Sequence, residues 1–352
     1  MERSVDYCTQ LASQLMLKNV KKSKKNNLVV SPVSLKVVLN MLAAGLKGST
    51  LEYMLGFLRS YNIEELNSKS SRMVAVAADV GSTNNGDDEE LRYEINAWAE
   101  AISRGLIKNL LEPGSPSPDT ELFLANGLYF KGTWEHDYRF DANRTEKRDF
   151  YLLNREIVSV SFMTSQNMYS CRSFDSFKVL KIPYANGKCK RRFSMYFFLP
   201  NEIDGLQNLL EKLIISSPEM YFNLREVQLD KFWILKFKFP YTFDVSKGTT
   251  DTGTTLSFMK NPEDLSEMMH IPEGAPIDGS KIIQKACIEV DEKGTEAAAI
   301  TYEILEGACL YDGEPEPLIS FVANHLFVFM IREENSGLIF LTAVVLDPSR
   351  SN

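Results

Sequence analysis

Val290-Asp291-Glu292-Lys293-Gly294-Thr295-Glu296-Ala297-Ala298-Ala299 is the stretch that decides the fold. It joins the end of an apolar, alternating run to a row of small residues, with one glycine at the joint. Glycine takes backbone angles closed to other residues, so Gly294 suits a point where the chain bends or straightens. The alanines contribute little to any core. They make sense in a segment that slides between two existing strands, where bulky side chains would clash and backbone hydrogen bonds drive association. An alanine-rich loop or short helix following a strand is the competing reading of these ten residues.

Helical signals precede this stretch. Cys8, Leu11, Ala12 and Leu15 recur at helical spacing. Ser31 is placed to cap a second helix that has Pro32 at its first position, where a missing N–H costs no hydrogen bond. Leu35, Val38, Leu39 and Leu42 form that helix's apolar stripe, and Gly45 is its expected stop. Ser49 and Glu52 have capping-box spacing for a third helix carrying Met54, Leu55 and Leu58. Residues 82–90 are polar and acidic and predict an exposed loop, followed by a helix over 91–104 with Leu91, Ile95, Trp98 and Ile102 on one face.

Strands are expected afterwards, over 122–130, 193–199, 233–243 and 282–290. A hairpin over 325–332 and 338–346 turns at Glu333–Gly337. Helices first and strands later predict an α+β chain with mostly antiparallel sheets. With 352 residues, 44% hydrophobic, it is long enough for a large core. No internal repeat or linker divides it, so a single domain over 1–352 is expected.

Composition excludes several classes. Net charge is −8, unsuited to a phosphate backbone, so no nucleic-acid partner is expected. The basic runs at 21–25 and 188–192 read as solvated turns. No apolar run approaches the roughly 20 residues that span a bilayer, so no membrane partner is expected. The polar start lacks the apolar centre of a signal peptide, which makes the cytosol the expected compartment. Five widely spaced cysteines form no CxxC pair, so neither a disulfide framework nor a metal site is expected. The three histidines lie in no metal-binding or nucleophile motif. Cys287 and His325 are the one nucleophile–base pairing weighed, but Cys287 in an alternating strand is better explained as a small buried hydrophobe. The chain is expected not to be an enzyme and to carry no cofactor.

Further segments extend the hinge into a family resemblance. They are Ser31-Pro32-Val33-Ser34-Leu35, Ala43–Thr50, Leu124–Trp134, Phe193–Pro200, Lys236–Phe239 and Phe321–His325, with Phe140, Thr145 and Phe150 at matching spacing. Together with the hinge the chain resembles the serpins, protease inhibitors that insert their own loop into a β-sheet, and is closest in wording to plant Z-type serpins. The resemblance implies an exposed reactive loop over about 294–319, with Glu292, Lys293, Gly294, Thr295, Glu296, Ala297, Ala298 and Ala299 as its hinge. It implies a target serine or cysteine protease, a monomeric inhibitor and a scissile bond at Ala308–Cys309, where a small residue suits an elastase-like pocket. Leu305 and Leu310 are the alternative registers. Ser31, Ser34, Asn126 and Gln284 would form the polar cluster that controls sheet opening. Extracellular action is known in the family by analogy.

The chain also departs from that pattern. Relatives carry a longer block between residues 90 and 91, so one sheet is expected to be short. Residues 247–257 are rich in Thr and Gly and predict a loop where relatives have a short helix. Gln284 stands where relatives place a histidine. Ile300 interrupts the small residues. Glu303 would face the core by alternation with Thr295, Ala297, Ala299 and Thr301. A serpin-fold protein that is cut without trapping its protease, or a decayed member, is the alternative function.

Overall fold

The computed structural model describes residues 7–22, 26–66, 88–102, 109–111, 113, 123–130, 132–186, 191–216, 218–244, 281–295 and 319–350. Helix α1 spans Tyr7–Lys21 and buries Cys8, Leu11, Ala12 and Leu15 as the spacing requires. Helix α2, Pro32–Ala44, begins as expected: the Ser31 side chain accepts from the Ser34 N–H, and Pro32 occupies the first turn. Helix α3, Gly48–Phe57, departs from expectation, because Lys47 holds the cap position and no side chain caps the helix. The helix starts early at Gly48, with φ at 57°, which leaves Ser49 inside the first turn and out of capping geometry.

A further helix covers Asp88–Ile102, so Asp88, Glu89 and Glu90 are helical and not part of the expected loop. Acidic side chains in a first turn are favoured by the helix dipole. Ile95 and Ala99 of this helix pack with Leu110 in a small apolar cluster apart from the main core. Asn96 fixes the same region, donating to the Leu111 carbonyl at 3.0 Å and accepting the Leu111 N–H at 2.7 Å. Residues 82–87 of the acidic break and the run 247–257 lie outside the described residues.

The strands are β1 (Leu28–Val30), β2 (Phe123–Tyr129), β3 (Gly132–Thr133), β4 (Glu146–Tyr151), β5 (Ile157–Met163), β6 (Met168–Ser173), β7 (Phe177–Pro183) and β8 (Phe193–Pro200). They continue with β9 (Arg225–Leu235), β10 (Phe237–Asp244), β11 (Lys281–Val290), β12 (Gly294–Thr295), β13 (Ile319–Val322), β14 (Phe327–Glu333) and β15 (Ile339–Val345). The expected strand over 233–243 is two strands in different sheets. β9 ends at Leu235 and β10 starts at Phe237, and between them the Lys236 N–H bonds to the Ser161 carbonyl at 2.9 Å. Lys236 is therefore the point where the chain crosses from one sheet to the other.

Among the described residues, ten strands form one sheet in the order β1-β15-β14-β8-β7-β6-β9-β5-β4, with β13 on β9. A second sheet has the order β10-β11-β2, and β12 pairs with β3. The pairings among the described strands are antiparallel except β11–β2 and β13–β9. The hairpin β14–β15 turns where expected: Gly337, at φ 76°, donates its N–H to the Glu333 carbonyl at 2.9 Å. One apolar cluster runs from Cys8 to Leu346 and joins α1 and α2 to strands of the ten-stranded sheet and to β10 and β11.

Candidate functional site

β11 ends at Val290, and the chain reverses over Asp291–Gly294. The Asp291 N–H donates to the Gly294 carbonyl at 2.8 Å, and the Gly294 N–H to the Asp291 carbonyl at 3.2 Å. The Asp291 carboxylate closes the turn from inside, with Oδ1 accepting the N–H of Lys293 at 2.9 Å and of Gly294 at 3.1 Å. The turn's carbonyls are taken from outside. Asp291 accepts Trp134 Nε1–H, Glu292 accepts the Phe140 N–H and Lys293 accepts the Trp134 N–H, each at 2.9 Å.

Gly294 is required here on two counts. Its φ is +131°, and a Cβ would lie 2.4 Å from the Gly132 carbonyl oxygen and 2.5 Å from the Trp134 nitrogen. The next step of the chain is β12, whose Gly294 and Thr295 pair antiparallel with Thr133 and Gly132. Trp134, the residue after Thr133, is buried and stacked on Tyr184 at 4.6 Å between ring centres.

Glu292 is buried but fully met. Thr145 Oγ1 donates to its Oε1 and Lys236 Nζ to its Oε2, both at 2.8 Å. Burial pushes its pKa up, but the hydrogen bonds from Lys236, its own backbone N–H and Thr145 outweigh that and hold it below the ordinary carboxylate value. Thr145 and Lys236 lie 147 and 56 positions from Glu292, and nothing in the local sequence pairs them with it.

The polar cluster assembles at the start of α2. Gln284 Oε1 accepts the Ser31 N–H at 3.0 Å while its Nε2 donates to the Ser31 carbonyl at 3.2 Å. Ser31 Oγ donates to the Phe340 carbonyl at 2.6 Å and accepts the Ser34 N–H at 3.1 Å. Asn126 is the register partner of Gln284 across the β2–β11 pair. Ser31 thus bonds both Ser34 and Gln284, and Asn126 lies level with Gln284 in the strand register. Phe340 is the cluster member that sequence reasoning missed, because it contributes only a carbonyl. Of the residues expected to form the hinge, Glu292, Lys293, Gly294 and Thr295 are described and form the turn and strand pairing above, whereas Glu296, Ala297, Ala298, Ala299, and Ala308 and Cys309 of the expected scissile bond, lie outside the described residues.

Residues 68–348 match the family model described as Serpin (serine protease inhibitor). The chain belongs to the serpin family. It is 37% identical to Serpin-ZX of Arabidopsis thaliana, with 93% of each chain covered. It is 33% identical to Serpin-ZX of Hordeum vulgare, covering 97% of this chain and 95% of the relative. Among solved structures, Arabidopsis AtSerpin1 in its native stressed conformation superposes with a TM-score of 0.82 at 34% identity, covering 99% of this chain and 98% of that one. The alignment with the Arabidopsis relative spans 370 positions, more than the 352 residues of this serpin, so the relative has residues with no counterpart here. Among the described residues of this serpin, no helix is long and apolar enough to cross a membrane.

Proposed function

We propose that this serpin traps a serine protease by offering the loop over 294–319 as a substrate and inserting it once cut. A cysteine protease is the other target class. The protease's serine hydroxyl oxygen attacks the carbonyl carbon of Ala308, the Ala308–Cys309 C–N bond breaks, and the proton passes to the new Cys309 amine. The acylated loop then enters between β2 and β11 as a strand antiparallel to both. The β12–β3 pairing is the observation that carries this reading. Gly294 and Thr295 run antiparallel beside Gly132 and Thr133, at the end of β2, in the direction an inserting strand must take.

The small side chain of Ala308 fits an elastase-like pocket. The protein acts as a single-domain monomer in the cytosol. Incubation with an elastase-like protease, followed by a denaturing gel, tests the trap. A band at the summed mass is expected, and clean cleavage near Ala308 with the protease left active would overturn it for that class. That second outcome belongs to the other reading, a serpin fold that is cut without trapping. It is favoured by the relatives' extra residues and by the sheet of β10, β11 and β2, which has three strands among the described residues. A decayed member would instead aggregate and unfold without cooperativity.

A further inference from the structure

We infer that the ten-stranded sheet carries a second site, a pocket for a small zwitterion of about dipeptide length. A cavity of about 420 Å³ lies on one face of that sheet, where β9, β6, β7 and β8 run side by side. Its volume is in the range of small-ligand sites. Strand register decides which side chains line it. Glu226 of β9 lies opposite Ser170 of β6, and Ser170 opposite Lys181 of β7. Further along β7, Pro183 lies opposite Ser194 of β8. Opposite and alternate residues share a face, so Glu226, Ser170, Lys181 and Ser194 all present their side chains to the cavity they line.

The lining has an acidic end and a basic end. At the acidic end, Glu135 and Glu226 converge on Tyr138. Burial, and after it the charges of Glu226, Glu135 and Asp137, push the Tyr138 phenol above its ordinary pKa. Neither the Glu135 nor the Glu226 carboxylate has a hydrogen bond or ion pair among the described residues. An ammonium brings three donors to such a group of oxygens. Lys181 and Arg192 stand at the basic end. Lys181 has Glu334 at 3.4 Å, but Glu334 is held more closely by Arg332 at 2.9 Å and by Tyr196 at 2.8 Å. The Lys181 ammonium therefore keeps donors for another anion.

Ser194 marks the cavity as a place for a polar occupant. It is 1% exposed, and its hydroxyl bonds to no described group, so what it reaches is the cavity. A buried hydroxyl without a partner is costly, and a ligand carboxylate would meet it. Length sets the size of the ligand. Glu226 and Lys181 lie on either side of Ser170, two inter-strand steps or about 10 Å apart. Two residues of extended chain span about 7 Å, which leaves one contact at each end. A ligand with a single charge would leave one end of the cavity unmet.

Calorimetric titration with glycylglycine, N-acetylglycylglycine and glycylglycinamide tests the site, because the second lacks the ammonium and the third the carboxylate. Glycylglycine should bind the wild type with a Kd of about 1 mM or tighter, and each derivative at least about tenfold more weakly. Glu226 is exposed on β9, so Glu226→Gln should keep the wild-type melting temperature. It should weaken glycylglycine about tenfold without weakening N-acetylglycylglycine. Ser194→Ala should weaken glycylglycine several-fold. No measurable binding of glycylglycine to the wild type would overturn the site. A derivative that binds as well as glycylglycine would overturn the zwitterion. Wild-type affinity in a folded Glu226→Gln would put the binding elsewhere and overturn the assignment to this cavity.

Discussion

Glu292 is a buried carboxylate whose charge is met by an ammonium, a hydroxyl and a backbone N–H, and its pKa is lowered for that reason. A carboxylate with a depressed pKa contributes stability that is present above its unfolded value, near 4.3, and lost as pH falls through the folded one. Lys236 is half-exposed, so solvent screens its share. Glu292→Ala should cost about 1–2 kcal/mol at neutral pH, and the gap to wild type should close below about pH 4. Urea unfolding at both pH values measures it, and identical midpoints at neutral pH would contradict the account. Gln284 makes the complementary point. A side-chain amide presents a donor and an acceptor side by side and so meets both backbone groups of Ser31. An imidazole at the same place points its two nitrogens apart and cannot do so. The grouping of Gln284 with Ser31, 253 positions away, was expected from the family resemblance, but the two-point bonding of the amide to the Ser31 backbone was not legible in the sequence.

The turn at Asp291–Gly294 is built so that β11 stops and the chain doubles back, although the sequence on either side would continue as a strand. Asp291 closes the turn from inside, and Trp134 and Phe140 hold its carbonyls from outside. Gly294→Ala would force a Cβ against the backbone of Gly132 and Trp134 at a φ that side chains avoid, a strain of about 1–3 kcal/mol. The expected result is a melting temperature lower by about 2–6 °C and faster cutting at the hinge by a non-specific protease. Unchanged melting and cutting would show that the turn has room the geometry denies. Element boundaries elsewhere were decided by partners and not by local pattern. Ser49 and Glu52 have the spacing of a capping box, but the glycine before them starts the helix early. The apolar run 233–243 reads as one strand, yet the two parts pair with β5 and β11 in different sheets, and Lys236 marks the crossing.

Cutting at Ala308–Cys309 would divide the chain into two pieces that share one sheet. The C-terminal piece contains β13, β14 and β15, and β14 lies between β8 and β15 with Phe327 and Phe329 fully buried. Burying a phenylalanine is worth about 1.5–3 kcal/mol, and the piece holds many such contacts. The cut protein should therefore elute as a single species under native conditions and separate only in denaturant. Dissociation on a native sizing column would mean that these strands are held more weakly than their burial implies. The helices α1 and α2, the caps of α2, the hairpin at Gly337 and the bend at Gly294 are written in neighbouring residues as periodicity, turn chemistry or a glycine. Packing selected the register of β12 on β3, the closed pairing of β11 with β2, the partners of Glu292 and the two-point bonding of Gln284 to Ser31. These depend on contacts between residues tens to hundreds of positions apart, which local pattern does not encode and which packing selects.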